Sequence, residues 1–554
     1  MERIWLSEYP DGIPADIDPH EYSSLRDILV QSCTTFGDLP AYTNMGVSLT
    51  YRDIDEQSGY FAAYLQSAAG LEKGDRLALM MPNLLQYPVA LFGGLRAGLA
   101  IVNVNPMYTP RELEHQLCDA GAKAIVVLEN FADTVEEVLE KTPIETIITT
   151  RVGDLLGFPK RPLVNFIVKS VKKAVPSFSL PNAAPFGRVL SEGARLSADD
   201  VHLTHDDIAF LQYTGGTTGV AKGAVLTHGN MVSNLQQASA WLSPVTRSGQ
   251  EVVITALPLY HVFSLTANCL TYMKLGGVNV LITNPRDCAG FVKTLKKTRF
   301  TGITGVNTLF NALLHAPGFA DVDFSSLRVS LGGGMAVQRS VAEEWKSVTG
   351  QPLIEAYGLT ETAPAACMNP MTNTTYNGSI GVPISSTYVS IRDNEGKELG
   401  ANEVGEICIK GPQVMREYWN RPKETEAVFW EDRWFMTGDI GRMDERGYVY
   451  IEDRKKDMIL VSGFNVYPNE VESVVVSHAG VLEAAAIGIP NPKSGEIVKL
   501  FVVKKDPALT EQDLEAHCRE NLSAYKVPKL VEFRDSLPKS NVGKILRRAL
   551  RESG

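Results

Sequence analysis

The chain has 554 residues, a length that predicts roughly three to four domains' worth of polypeptide. Its content of 44% hydrophobic and 21% charged residues is typical of a soluble globular protein with a large core. The formal net charge of −11 argues against a nucleic-acid-binding protein, and it requires any site for an anion to be locally positive.

Three features of the sequence predict a cytoplasmic protein. The seven cysteines are scattered without a C-x-x-C pair, which is typical of a reduced, intracellular protein without a zinc site. The amino terminus lacks the apolar segment of a signal peptide. The sequence also has no run of about 18 apolar residues that would predict a transmembrane helix.

The first 200 residues alternate short apolar runs with amphipathic segments. Residues 76–81, 100–104 and 124–128 predict buried strands, and residues 85–96 and 111–120 predict helices. This alternation is typical of a doubly wound parallel sheet, so we expect an α/β fold.

Residues 160–176 form a basic segment in an acidic chain. The segment has no acidic residue and five basic ones, Lys160, Arg161, Lys169, Lys172 and Lys173. Helical spacing predicts one apolar face, made by Val164, Ile167, Val168, Val171 and Val175. Two interpretations stay open. The helix lies on anionic lipid at the inner face of the cell membrane, or it packs on its own domain with its lysines in water.

A loop rich in glycine and threonine follows the predicted strand 208–213. Its free backbone N–H groups, threonine hydroxyls and single lysine suit a polyphosphate. It is not a Walker A motif, because Ala221 stands where that motif has glycine. The alternative is a flexible surface loop. The candidate phosphate-binding residues are Tyr213, Thr214, Gly215, Gly216, Thr217, Thr218, Gly219 and Lys222.

Further candidates follow predicted strands in the next 180 residues. Ligands of open α/β sheets gather at the carboxyl ends of strands, so we expect these candidates to share one crevice with the loop. Three glycines would let the backbone approach adenine, or they form a tight turn. A carboxylate next to phosphate oxygens suits Mg²⁺. The candidates are His261, Gly332, Gly333, Gly334, Tyr357, Gly358, Thr360 and Glu361.

The pattern changes to short, hairpin-like strands at about residues 380–452, which predicts a small β-rich subdomain. Asp439 could accept hydrogen bonds from both hydroxyls of a ribose. A dense charge run at 453–457 predicts either a solvated turn or a hinge, and residues 458–554 have the length of an independent domain. Near the end of the chain, Lys544 follows a glycine in a predicted loop, or it is part of a basic tail.

These motifs resemble those of the adenylate-forming superfamily, which contains acyl-CoA synthetases, peptide-synthetase adenylation domains and luciferases. The chain is similar to bacterial long-chain fatty-acid–CoA ligases over nearly its whole length. The resemblance implies a large N-terminal domain of parallel α/β sheets plus a small β-barrel, at residues 1–452. It also implies a small mobile α+β domain at 458–554.

The resemblance also implies roles for individual residues. Tyr357 stacks on adenine, Thr360 bonds the α-phosphate, and Glu361 with Thr214 holds Mg²⁺. The segment with His261 closes over the carboxylate of the acid, and Asp439 and Arg454 bind ribose. Lys456 is the hinge, Gly463 and Phe464 flank the coenzyme A tunnel, and Lys544 reaches the acyl-adenylate. The catalytic set is therefore Lys544, Thr360, Glu361 and His261.

The activity implied is a two-step ligation. A fatty acid and Mg-ATP give acyl-AMP and pyrophosphate, and coenzyme A then gives acyl-CoA and AMP. Arg433, Met443 and Glu445 depart from the family pattern, which leaves the preferred chain length open. The alternatives are a medium-chain, short-acyl or aryl-CoA ligase, a ligase that loads a carrier protein, and a nucleotide-binding scaffold without catalysis. Relatives suggest a homodimer by analogy.

Overall fold

A computed structural model describes residues 2–214, 221–462, 464–491, 494–540 and 543–553. The strands in chain order are β1 (Pro40–Asn44), β2 (Val47–Thr50), β3 (Arg76–Met80), β4 (Ala100–Asn103), β5 (Ala122–Leu128), β6 (Thr146–Thr150), β7 (Ala184–Pro185), β8 (Ile208–Thr214), β9 (Lys222–Thr227), β10 (Val252–Thr255), β11 (Val278–Leu281), β12 (Gly302–Gly305), β13 (Val329–Gly332), β14 (Ile354–Gly358), β15 (Ala365–Met368), β16 (Val382–Pro383), β17 (Tyr388–Arg392), β18 (Gly405–Lys410), β19 (Phe429–Trp430), β20 (Trp434–Met443), β21 (Val449–Arg454), β22 (Ile459–Val461), β23 (Phe464–Val466), β24 (Val481–Asn491), β25 (Gly495–Lys504) and β26 (Leu530–Phe533).

The α-helices are α1 (Leu25–Phe36), α2 (Tyr51–Ala63), α3 (Gln86–Arg96), α4 (Pro110–Ala120), α5 (Ala132–Val138), α6 (Lys160–Phe166), α7 (Phe186–Gly193), α8 (His228–Leu242), α9 (Val262–Ser264), α10 (Thr271–Lys274), α11 (Cys288–Leu295), α12 (Asn307–Leu314), α13 (Arg339–Thr349), α14 (Pro422–Glu426), α15 (Pro468–Val476), α16 (Glu511–Asn521) and α17 (Arg547–Ser553). Short π-helical segments follow three of them, at Tyr64–Ala68, Ile167–Val171 and Leu265–Leu270. None of these described helices is long and apolar enough to cross a membrane.

Two large sheets form the body of the protein. One has seven strands in the order β7-β6-β5-β3-β4-β8-β9, and the other has nine in the order β16-β15-β14-β13-β12-β10-β11-β1-β2. Their central strands pair in parallel, and antiparallel strands lie at the edges. Continuous apolar runs bury both faces of strands such as β5, as parallel sheets require. The predicted α/β fold class is therefore confirmed.

Helix ends are set by local sequence. Thr109 and Glu112 form a reciprocal capping box at the start of α4, with Pro110 in the first turn. Thr227 and Asn230 do the same for α8. This second cap fixes the point at which the chain leaves β9 and enters a buried helix.

Strand β9 is not among the strands predicted from the sequence. The structure places β9 antiparallel to β8, with Thr214 opposite Lys222. The apolar residues 224–226 carry the signal for this strand. The loop therefore joins two strands of a hairpin, and residues 215–220 themselves lie outside the described residues.

Two smaller sheets follow in the chain. The first is antiparallel, in the order β17-β18-β20-β19 with β21 paired to β20, and it corresponds to the predicted β-rich subdomain. The second has the order β23-β22-β25-β24 with β26 beside β25, and it packs α15 and α16 onto a core of its own. The predicted boundaries at 452 and 458 stay predictions.

Residues 160–171 of the basic segment are helical, and one residue of the predicted apolar face differs from the prediction. Val164, Ile167, Val168 and Val175 are half-buried, whereas Val171 is 63% exposed. The helix changes to a π-type turn at Ile167–Val171, where the Lys172 N–H donates to the Ile167 carbonyl at 2.8 Å. A π turn contains more residues than an α turn, so it rotates later side chains away from the predicted face.

Candidate active site

The carboxyl ends of β13 and β14 form the floor of the candidate site. Gly334 has a φ of +76°, a conformation that glycine adopts without strain. At Gly358, a Cβ atom would lie 1.8 Å from the Pro364 carbonyl oxygen, so only glycine fits. At Gly333, a Cβ atom would lie 2.9 Å from the Ala356 carbonyl oxygen, so this glycine lets the chain after β13 lie close to β14.

Tyr357, Asp439 and Arg454 form a hydrogen-bonded group beside that floor. The Tyr357 hydroxyl donates to Asp439 Oδ2 at 2.6 Å, and Arg454 Nε lies 3.2 Å from Asp439 Oδ1. Asp439 and Arg454 stand directly opposite each other on β20 and β21. The Asp439 charge raises the pKa of Arg454 above its usual value. Strand pairing therefore fixes two of the predicted ribose-binding residues relative to each other.

Glu361 belongs to a second group, which links it to the end of the glycine-rich loop. Tyr418 donates its hydroxyl to Glu361 Oε1 at 2.7 Å. Lys222 Nζ lies 5.0 Å from the centroid of the Tyr418 ring. Glu361 itself is buried in the short 3-10 turn Thr360–Thr362. Local sequence contains no signal for Tyr418, because Glu361 and Lys222 are distant from it along the chain.

His261 precedes α9 and caps it. Its Nδ1 accepts the Phe263 N–H at 3.3 Å. Burial, and then the charge of Lys544, lower the pKa of the imidazole to about 3. The ring is therefore neutral at physiological pH. With Nδ1 accepting a hydrogen bond, the remaining proton is on Nε2, which can donate to an anion.

Lys544 enters the same crevice from the C-terminal part of the chain. Its Cε lies 3.6 Å from the position of a Cβ at Gly334. Burial, and then the charge of Arg454, lower the pKa of Lys544 to about 8, although the carboxylates of Asp439 and Glu361 oppose this shift. The ammonium is therefore mostly charged at pH 7.

The loop that carries Lys544 rests on the start of α12. The Thr308 hydroxyl donates to the Gly543 carbonyl at 3.0 Å. A Cβ at Gly543 would also lie 3.1 Å from Val306 Cγ2. Direct contact with the nine-stranded sheet region therefore holds this loop in place.

Several predicted residues lie outside these groups. The Tyr213 hydroxyl donates to Asp119 Oδ2 at 2.8 Å, so its ring supports the start of the loop. Phe464 is 57% exposed and stacks on Tyr525, with ring centroids 4.9 Å apart. Burial, and then the charge of Arg454, lower the pKa of Lys456. Gly215, Gly216, Thr217, Thr218, Gly219 and Gly463 lie outside the described residues.

The crevice combines a tyrosine and a carboxylate–guanidinium pair on one side with a carboxylate and two lysines on the other. A nucleotide could place its ribose against Asp439 and its phosphates between Glu361 and Lys222. Lys544 would then lie where negative charge develops at the α-phosphate. Cations and fixed donors at such a point stabilise a transition state.

Comparisons with known proteins identify the families that this chain matches. The family described as AMP-binding enzyme matches residues 29–419, and the family described as AMP-binding enzyme C-terminal domain matches residues 470–544. A long-chain-fatty-acid–CoA ligase of Escherichia coli O157:H7 is 58% identical over 552 residues, covering 100% of this chain and 98% of the relative.

Solved structures agree in fold. An anthranilate CoA ligase in complex with anthranoyl-AMP has a TM-score of 0.86 at 24% identity, covering 97% of this chain and 99% of that one. ATP-bound MatB from Rhodopseudomonas palustris has a TM-score of 0.81 at 28% identity, with 95% and 98% covered. Both matches extend over the two large sheets and the C-terminal sheet.

Proposed function

Because the chain belongs to the AMP-binding enzyme family, we propose that it is an AMP-forming long-chain fatty acid:CoA ligase. It uses a fatty acid, ATP with Mg²⁺, and coenzyme A as its small-molecule ligands. The full-length similarity to long-chain-fatty-acid–CoA ligases supports the substrate class. The observation that carries the reaction class is the convergence of Lys544, Arg454, Asp439 and Glu361 at one crevice.

In the first step, a carboxylate oxygen of the fatty acid attacks the α-phosphorus of ATP. The bond to the β-phosphate breaks, giving acyl-AMP and pyrophosphate. Asp439 and Arg454 would hold the ribose, and the Tyr357 ring would lie against adenine. The Lys544 ammonium would offset charge at the carboxylate–phosphate junction. Such transfers depend mainly on positioning and charge, so we assign no general base.

The residues present fit a magnesium ion. Mg²⁺ in nucleotide sites is held by one or two carboxylates together with phosphate oxygens. Glu361 offers such a carboxylate, oriented by the Tyr418 hydroxyl at 2.7 Å. The hydroxyl of Thr214, which directly precedes the phosphate loop, would hold the ion together with Glu361. The bound ion supplies charge neutralisation at the phosphates.

In the second step, the thiolate of coenzyme A attacks the acyl carbon, the bond from that carbon to the phosphate oxygen breaks, and AMP leaves. Coenzyme A needs room at the junction that Lys544 fills in this structure. We infer that residues 458–554 rotate about 453–457, with Lys456 as the hinge, to make that room. His261, neutral and with Nε2–H available, would close over the carboxylate side of the site.

The test is product formation from ATP, coenzyme A and acids of graded length, from octanoate to oleate, with benzoate and coumarate as controls. AMP and thioester from the longer acids are the expected result. Thioester from aryl acids alone would move the assignment to an aryl-CoA ligase. Acyl-AMP without coenzyme A-dependent release would favour a ligase that loads a carrier protein. ATP binding without turnover on any acid would favour the scaffold.

We also propose that the basic segment docks on anionic lipid, which would place the enzyme at the inner face of the cell membrane. Three large apolar side chains protrude from it, Leu163 (58% exposed), Phe166 (60%) and Val171 (63%), and Phe158 (92%) protrudes just before it. Lys169, Lys172 and Lys173 are also exposed there. Protruding apolar side chains among lysines are typical of a helix that lies in a lipid interface.

Vesicle sedimentation tests this docking. Each lysine near an anionic surface contributes about 1 kcal/mol, so Lys169→Glu, Lys172→Glu and Lys173→Glu together should weaken binding to phosphatidylglycerol vesicles at least about a hundredfold. A matched control reverses the charge of three other exposed lysines, Lys397, Lys423 and Lys529, by the same substitution to glutamate.

Replacement of Phe158, Leu163 and Phe166 by serine should also release the protein from the vesicles. The control replaces three other exposed apolar residues, Val30, Val404 and Leu530, by serine. Unchanged binding in both test variants would contradict the proposal.

A further inference from the structure

Arg547 begins α17 three residues after Lys544, and its guanidinium is 15% exposed. It contacts four side chains that lie between residues 453 and 472. The shortest distances are 2.5 Å to Asn469 Oδ1, 2.9 Å to Glu472 Oε2, 3.4 Å to Asp453 Oδ1 and 3.5 Å to Asp457 Oδ2. Arginine suits such a site because its planar fork serves several acceptors at once.

The proposed hinge at Lys456 divides these four partners. Asp453 precedes the hinge and lies in β21, where it pairs with Ile440 of the β-rich sheet. Asp457 and the two partners on α15 follow the hinge. Among these four partners, only Asp453 therefore lies across the hinge from Arg547. Asp453 also accepts a second hydrogen bond across the hinge, from the Asn469 N–H at 2.8 Å.

The ion pair between Arg547 and Asp453 crosses the hinge, and its carboxylate is fully buried, since Asp453 is 0% exposed. Burial raises the pKa of Asp453 to about 6, and Arg547 opposes that shift, so the group remains charged at neutral pH. Asp453 is also next to Arg454, whose N–H donates to it at 2.6 Å. Separating a buried charge from its partner is unfavourable, so this contact favours the orientation in which it forms.

We propose that Asp453 and Arg547 form a latch, which holds the C-terminal part of the chain in the orientation that places Lys544 in the crevice. The latch opens when the chain rotates for the second step, while the contacts of Arg547 to Asp457, Asn469 and Glu472 travel with it. Asp453 and Arg547 are thus positioning residues for acyl-AMP formation. This inference rests on the proposed two-step function.

The test compares the two half-reactions in Asp453→Asn. Acyl-AMP formation is measured as palmitate-dependent exchange of pyrophosphate into ATP. Acyl transfer is measured from preformed palmitoyl-AMP and coenzyme A. Loss of one charged contact should shift the equilibrium between the orientations about tenfold. The ratio of the first rate to the second should fall by the same factor, whichever orientation dominates.

The control is Lys499→Gln, which removes a 2.9 Å ion pair with Glu532 that lies wholly within the C-terminal sheet. It should leave the ratio unchanged. An Asp453→Asn ratio within twofold of the unsubstituted protein, or an equal fall of both rates, would overturn the latch. If the unsubstituted protein itself performs neither half-reaction with any acid, the proposed function fails instead.

Discussion

The two sides of the candidate site are held in different ways. On the ribose side, Tyr357, Asp439 and Arg454 are fixed by strands β14, β20 and β21, and Asp439 is 4% exposed. On the other side, Lys544 lies on a loop that rests on α12 and is tied through Arg547 to Asp453. In the proposed function, the ribose side is a permanent nucleotide platform, whereas Lys544 is a cation that can be withdrawn from the reacting atoms.

Substitution of Lys544 should produce the largest difference between the rates of the two half-reactions. Lys544→Ala removes the cation at the carboxylate–phosphate junction and should lower the rate of acyl-AMP formation about 10²–10³-fold. Conversion of preformed acyl-AMP to acyl-CoA should change little, because Lys544 is withdrawn in that step. Separate assays of the half-reactions check this. Equal loss in both would mean that Lys544 serves both steps.

Substitution on the ribose side should instead affect both steps. Asp439→Asn removes the negative charge that pairs with Arg454 and that strengthens the hydrogen bond from the Tyr357 hydroxyl. Hydrogen bonds to charged groups contribute about 1.5–3 kcal/mol, which corresponds to a loss of roughly tenfold to a hundredfold in affinity for ATP and for acyl-AMP. Isothermal titration and both half-reaction assays measure this. Loss confined to one half-reaction would contradict a permanent platform.

The pH dependence should also differ between the sides. The pKa of Lys544 is lowered to about 8 in the orientation that places this side chain in the crevice. Its useful form is the cation, so kcat/KM for acyl-AMP formation should be full below pH 8 and should fall as the pH rises through it. Acyl transfer should not show this decline. A profile of exchange that is flat to pH 10 would contradict the assignment.

The smallest effect is expected at Tyr418. Tyr418→Phe keeps the ring beside Lys222 but removes the hydroxyl that orients Glu361. We expect the Mg²⁺ concentration needed for half-maximal exchange to rise severalfold, about the effect of one hydrogen bond to a charged group. Titration of exchange activity with Mg²⁺ measures this. A loss as large as that of Lys544→Ala would mean that Tyr418 contacts the reacting groups.

Local sequence was sufficient for the α/β fold and most of its elements, because strands such as β5 are continuous apolar runs and helices such as α4 carry their own caps. It was insufficient for β9, whose short apolar stretch follows the glycine-rich loop. It also misplaced Val171, because a π turn changes the helical phase. The roles given to the individual site residues stay predictions.

Contacts between distant residues could not be predicted from local patterns. Tyr418 and Glu361 are 57 residues apart, and Arg547 and Asp453 are 94 apart. Neither pair has a spacing that a helix or strand would bring together. Motif resemblance identified Lys544 and Arg454, whereas the residues that position them came only from the three-dimensional arrangement.

Trapping Lys544 in the crevice tests the central claim most directly. The Cβ of Thr308 lies 4.0 Å from a Cβ at Gly543, within the range for a disulfide. Gly543 has a φ of +84°, so a cysteine there adds about 1–2 kcal/mol of strain, and the reduced double variant Thr308→Cys, Gly543→Cys is the control. The exposed Cys118 is replaced by serine, and peptide mapping confirms the bond.

The measurement is a single turnover of the oxidised variant with ATP, palmitate and coenzyme A. We predict that acyl-AMP and pyrophosphate form at the rate of the reduced variant, that acyl-CoA does not form, and that reduction restores it. Formation of acyl-CoA at an undiminished rate while the disulfide is intact would contradict the claim that Lys544 must leave the crevice between the two steps.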